Sequence, residues 1–149
     1  ATSTPGTNEG LLYQWSAAMN NSTTERAQGI CPSGWHIPSD CEWMYLENTL
    51  GMSTTDQQAT GWRASGDVHY DLSSAVPSGT NNSGFTGLLA GYRNTNGSFD
   101  NRTSIGLWWS SSATGATTAS NRSLRTGPRG VHRTSDNEAF GFSVRCLKD

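Results

Sequence analysis

Three histidines, three cysteines and 12 scattered acidic residues are the groups through which this chain could do chemistry. Their spacing resembles no zinc site. No Gly-rich phosphate loop and no nucleophile elbow occurs, and Gly115 and Gly127 stand in turn sequences without a following Lys-Ser or Lys-Thr. The Glu-Pro-Asn and Trp-Asn-Asp motifs of calcium-dependent sugar binding are absent as well. His36, set between Trp35 and Ile37, reads as a structural imidazole that hydrogen-bonds loop backbone. The expectation is therefore a protein that binds rather than catalyses, with no metal and no cofactor.

The cysteines are Cys31, Cys41 and Cys146, and three cannot all pair within one chain. Cys41 falls on an expected helix, whereas Cys31 and Cys146 bracket most of the sequence. A bridge between those two would close a loop worth roughly 4–5 kcal/mol in the chain-entropy model. Three reduced thiols in a cytosolic protein are the alternative.

The elements that must position these groups are short. Residues 1–10 read as a polar tail, and 11–149 as one domain. Leu11 to Met19 suggests a short strand and one helical turn. Ser39 is a good N-cap, Glu42 completes a capping box, Trp43, Leu46 and Leu50 share a face, and Gly51 supplies a stop. The pattern predicts a helix over 39–50. Residues 52–83 read as a long excursion with at most one short helix or strand. Beyond Gly84, short apolar runs split by Gly and Asn predict antiparallel strands at 85–93, 107–111, 119–124, 130–133 and 140–147. The class is α+β, with one or two helices, small antiparallel sheets and long irregular loops. Trp35, Trp43, Trp108, Phe142 and Val144 are the expected core.

Composition agrees. The 149 residues are only 33% hydrophobic and 15% charged, with 17 Gly and six Trp, a profile opposite to that of disordered chains. A net charge of −2 carries no basic nucleic-acid footprint, and no apolar run approaches the ~20 residues of a membrane helix. A monomer with no nucleic-acid partner and no membrane insertion is expected.

The run Cys31-Pro32-Ser33-Gly34-Trp35-His36-Ile37-Pro38, with Glu42-Trp43 and Leu46 after it, resembles the Fibrobacter succinogenes major paralogous domain, whose pattern is CPxGWHxPxxxEWxxL. Leu12-Tyr13-x-Trp15, Ala17-Ala18-Met19, Gly84-Phe85, Gly91-Tyr92-Arg93, Gly97-x-Phe99, Trp108-Trp109-Ser110-Ser111 and Gly141-Phe142-Ser143-Val144-Arg145-Cys146 follow in the family's order. The family's upstream Trp-Met-Asn-Leu strand is not visible. The resemblance implies a C-type-lectin-like fold of the formylglycine-generating-enzyme branch. Those enzymes use a cysteine pair in a cleft, whereas here Cys31 and Cys146 look structural and Cys41 is alone.

Proteins of that fold also serve as the variable proteins of diversity-generating retroelements, in which template adenines are randomised at the 3′ end of a gene. Residues 92–149 resemble such a region. Fixed-looking blocks such as Trp108 to Ser112, Asn121 to Leu124 and Gly141 to Asp149 alternate with stretches lacking periodicity, such as 125–130 and 132–136. An Asn codon altered only at its adenines never yields Lys, Gln, Glu, Met or Trp. Between 92 and 147 there is no Lys, Gln or Met, Trp occurs only as Trp108-Trp109, and Glu only as Glu138.

The implied variable, solvent-facing ligand residues are Asp100, Thr103, Ile105, Leu107, Ser120, Arg125, Thr126, Gly127, Pro128, Gly130, His132, Thr134, Ser135, Asp136 and Phe140. Strand alternation would turn Val131 and Arg133 inward and Gly130, His132 and Thr134 outward. The expected ligand is a protein on another cell or virus, or a glycan, met outside the cell, at its surface or on a virus particle. An undiversified envelope adhesion or glycan-binding domain is the alternative.

Overall fold

A computed structural model describes residues 8–127 and 129–149. Residues 1–7 of the expected polar tail, and Pro128, lie outside the described residues. The principal sheet has four antiparallel strands in the order β2-β7-β6-β5: β2 (Gly61–Arg63), β5 (Ile105–Ala113), β6 (Thr118–Arg125) and β7 (Val131–Asn137). Two two-stranded pairs flank it, β1 (Trp35–His36) with β8 (Leu147–Lys148), and β3 (Tyr92–Arg93) with β4 (Phe99–Asp100). The helices are α1 (Trp15–Ala18), α2 (Asp40–Thr49), α3 (Thr54–Gln58) and α4 (Val68–Asp71). This is the α+β architecture of few helices and small antiparallel sheets.

The helix α2 forms for the local reasons read in its sequence. Ser39 accepts from the Glu42 backbone N–H, and the Glu42 carboxylate accepts from the Ser39 N–H at 2.9 Å, closing the capping box. Gly51 at φ +95° takes the left-handed turn that ends it. One further residue lies on its buried face: Glu47 follows Trp43 by four positions and is fully buried.

The adjacent pair Trp108 and Trp109 explains the layering. Successive residues of a strand point to opposite faces. Trp108 joins a core with Trp43, Leu72, Phe85, Leu124 and Val131. Trp109 joins a second core with Trp15, Met19, Ile37, Leu107 and Phe142. The sheet is thus a wall between two cores along β5 and β6.

Across the first core runs a buried ion network. The Arg63 guanidinium donates to both Glu47 oxygens at 2.6 and 2.7 Å, and Arg122 Nε donates to Glu47 Oε1 at 2.7 Å. Arg122 Nη1 reaches Asp40 Oδ1 at 2.6 Å, and Arg133 Nη2 reaches Asp40 Oδ2 at 2.5 Å. Burial pushes the Asp40 carboxyl up, but hydrogen bonds from Arg133 and Arg122 outweigh it and hold the group well below the usual carboxylate range. Cys31 and Cys146 are joined in a disulfide spanning 115 positions, and Cys41 is free and exposed.

Several expectations are corrected. Trp35 is not core: it is 38% exposed, on a two-residue strand at the margin of the fold. The His36 ring binds carboxylates rather than backbone, with Nδ1 2.6 Å from Asp149 Oδ1 and Nε2 3.1 Å from Glu42 Oε1. Of 85–93 only Tyr92–Arg93 is strand. Within 140–147, Gly141, Phe142 and Ser143 are held by isolated bridges, to Arg93, Tyr13 and Trp108, and only Leu147 belongs to a strand. The 52–83 excursion holds three short elements, because Ser53 caps α3 through the Asp56 N–H and β2 finds a partner in β7.

Candidate functional site

The register of the principal sheet decides which side chains share a surface. Trp62 pairs with His132, His132 with Ser123, and Ser123 with Leu107; Ile105 pairs with Arg125, Asn121 with Thr134 and Ala119 with Asp136. Paired residues and their second neighbours along a strand lie on one face. That face therefore carries Trp62, His132, Thr134, Asp136, Arg125 and Ile105. Over β5 and the middle of β6 the second core roofs it. Over β7, β2 and the end of β6 it is open.

At the open corner three planar groups stack. The Trp62 and His132 ring centroids are 4.7 Å apart, and the Arg125 guanidinium carbon sits 3.9 Å from the Trp62 centroid. No described carboxylate lies within ion-pair distance of Arg125, and its Nε is buried without an acceptor. Burial pushes the His132 imidazole below its ordinary range, and the Arg125 and Arg63 cations act the same way, against Asp136. Asp136 is held by the amide of buried Asn121, on the neighbouring strand of the same face, which donates to it at 2.9 Å. The result is a half-buried, aromatic, cationic patch with its one carboxylate to the side. Such a patch can grip a partner by stacking and charge-assisted hydrogen bonds.

The remaining expected positions separate. Thr126 and Gly127 are exposed beside Thr103, because the Thr126 N–H donates to the Ser104 carbonyl at 3.0 Å. Asp100 lies on the β3–β4 hairpin, where Asn94 and Ser98 donate to it. Phe140 is half-buried among Tyr92 and Phe142. Ser135 is exposed but belongs to the opposite face, paired with Ser120.

Three positions are not solvent-facing. Leu107 is 8% exposed and packs in the second core. Ser120 is 3% exposed and donates to Asp40 Oδ1 at 2.8 Å. Gly130 is buried at φ +132°, where an added Cβ would stand 2.7 Å from the Arg63 carbonyl oxygen.

Sequence reasoning passed over Trp62, which approaches the patch from a segment read as irregular. It also passed over the network of Asp40, Glu47, Arg63, Arg122 and Arg133 that stiffens the sheet beneath. One signal for the network was present: Glu47 occupies the helical stripe of Trp43, Leu46 and Leu50, where an acid needs a buried cation. Among the described residues no cluster of three or more His, Cys, Asp or Glu could hold a metal ion, and no helix is long and apolar enough to cross a membrane.

The family model described as the Fibrobacter succinogenes major domain matches residues 2–148. The chain belongs to that family. Its signature residues now have places: Trp43 in the first core, Ile37, Trp109 and Phe142 in the second, Ser39 and Glu42 in the capping box, and Cys31 and Cys146 in the bridge. No curated protein and no solved structure matches the chain.

Proposed function

We propose that this chain is a non-enzymatic binding domain of C-type-lectin-like fold. In this reading its ligand surface is the open face around Trp62, Arg125, His132, Thr134 and Asp136, and a diversity-generating retroelement rewrites it. One observation carries the proposal. The fixed-looking blocks of the C-terminal third supply buried structure (Trp108, Trp109, Arg122, Leu124 and Phe142), whereas Arg125, His132, Thr134 and Asp136, from the stretches without periodicity, gather on the open face. A rigid sheet carrying exchangeable side chains loses little entropy on binding, and Arg with aromatic neighbours is a frequent anchor at protein interfaces. Asp40 and Glu47 are consumed by arginine pairs, which favours scaffolding over acid–base work. The disulfide fits an oxidising compartment, in keeping with a protein ligand met at a cell or virus surface.

The test is sequencing of the genomic locus. The reading expects a near-identical repeat of the 3′ end beside a reverse-transcriptase gene, with mismatches confined to template adenines and falling on the codons of the open-face residues. Mismatches that ignore adenine, or the lack of any repeat, would refute diversification. They would leave an ordinary envelope adhesion domain.

A further inference from the structure

A groove of about 590 Å³ opens between α2 and the C-terminal segment, a volume within the range of small-ligand sites. It shares no residue with the open face of the sheet. Its walls are apolar: Trp43 and Leu46 from α2, Phe85 opposite, and Tyr45 and Leu147, both strongly exposed, at the rim. Two charged residues line it, and they differ in kind. Glu42 is already satisfied by Arg26 Nε at 2.9 Å, His36 Nε2 at 3.1 Å and the Ser39 N–H at 2.9 Å. Arg145 is exposed, its guanidinium carbon lies 4.8 Å from the Phe85 ring centroid, and no described carboxylate lies within ion-pair distance of it. The groove thus pairs an apolar trough with one uncompensated cation. Both walls are preset, by the capped helix on one side and by the Cys31–Cys146 bridge beside Arg145 on the other.

We propose that this groove is a second binding site, for a small free arylalkyl carboxylic acid. The ring lies along Trp43, Leu46 and Leu147, and the carboxylate accepts hydrogen bonds from Arg145. An apolar ring without the acid would leave the cation unused. An acid without the ring would forfeit the burial that the trough offers.

The probe is 3-phenylpropionate, titrated into the whole protein and followed by the backbone and indole N–H resonances. The Trp43 indole is an informative reporter, since its Nε1 is buried without an acceptor. The expected result is saturable movement of the Trp43 and Leu147 signals, with the neutral 3-phenylpropanamide binding at least about tenfold more weakly. Arg145→Gln, at an exposed position that leaves the fold intact, should erase the preference for acid over amide. Equal binding of acid and amide, an acid preference that survives Arg145→Gln, or no saturable shift at millimolar probe overturns the proposal. Binding of Gly-Gly-Phe but not of 3-phenylpropionate also overturns it, assigning the groove to peptide C-termini instead.

Discussion

Replacing Glu47 by Leu tests the reasoning about the interior most severely. Glu47 is fully buried and receives three hydrogen bonds from guanidinium groups, at 2.6, 2.7 and 2.7 Å, two from Arg63 and one from Arg122. Both arginine side chains are themselves 1% exposed. Deleting the carboxylate leaves Arg63 with only the Val131 and Gln57 carbonyls and the Met52 sulfur, all neutral, and Arg122 with Asp40 as its sole anion. Breaking a buried pair from one side costs about 3–5 kcal/mol, because the surviving charge stays desolvated. A domain of this size has a total stability of about 5–15 kcal/mol. Its unfolding entropy is near 0.3 kcal/mol per kelvin, so the midpoint should fall by roughly 10–16 °C. Urea unfolding followed by tryptophan fluorescence measures the loss directly. The companion variant replaces Arg63, Glu47 and Arg122 together by Met, Leu and Met. It should recover part of the loss, since the apolar trio carries no desolvated charge and Asp40, though it loses Arg122, keeps its pair with Arg133. A single-variant loss below about 1 kcal/mol would refute the network's assigned role, and so would a triple variant less stable than the single.

Three further outcomes are expected. Cys31→Ala with Cys146→Ala should lower stability by about 4–5 kcal/mol through the released loop, measurable as the shift of the urea midpoint against the oxidised protein. Gly130→Ala should cost about 1–3 kcal/mol from its backbone conformation and the Arg63 carbonyl, whereas Gly127→Ala, whose new Cβ meets nothing nearer than 3.6 Å, should stay within about 0.5 kcal/mol. Equal effects at the two glycines would contradict the division between buried and open positions. Because the folded His132 holds its proton less tightly than the ordinary value of 6.5, its contribution is fully present above that pH and is lost as pH falls from there through the folded value. Asp40 acts likewise below 3.8. An NMR titration should place the His132 midpoint below 6.5 and move it upward in Arg125→Gln.

What the sequence disclosed follows the range of the interactions. The capping box of Ser39 and Glu42 is a contact between near neighbours, so the start of α2 could be read to the residue. Alternation in β7 was legible too: Val131 and Arg133 face α2, and His132 and Thr134 face away. Alternation names the face of a side chain but not whether something covers that face. Leu107 lies on the same face as His132 yet is roofed by the second core, whose Trp15, Met19 and Phe142 come from distant parts of the chain. Ser120 failed similarly, its hydroxyl captured by Asp40 eighty positions earlier. Trp62 was passed over because β2 is only three residues long and becomes strand by pairing with β7. Trp35 misled through size alone, since a large ring on a marginal two-residue strand has little to pack against.

The bridge between Cys31 and Cys146 makes a covalent ring that encloses the principal sheet and nearly all of the C-terminal third. In the chain-entropy account the restriction it places on the unfolded chain depends on the number of residues in the ring, not on which residues they are. Every substitution within the ring therefore inherits the same increment of stability, whatever it does to its own local contacts. Sequence novelty inside the ring is insured by a term blind to sequence.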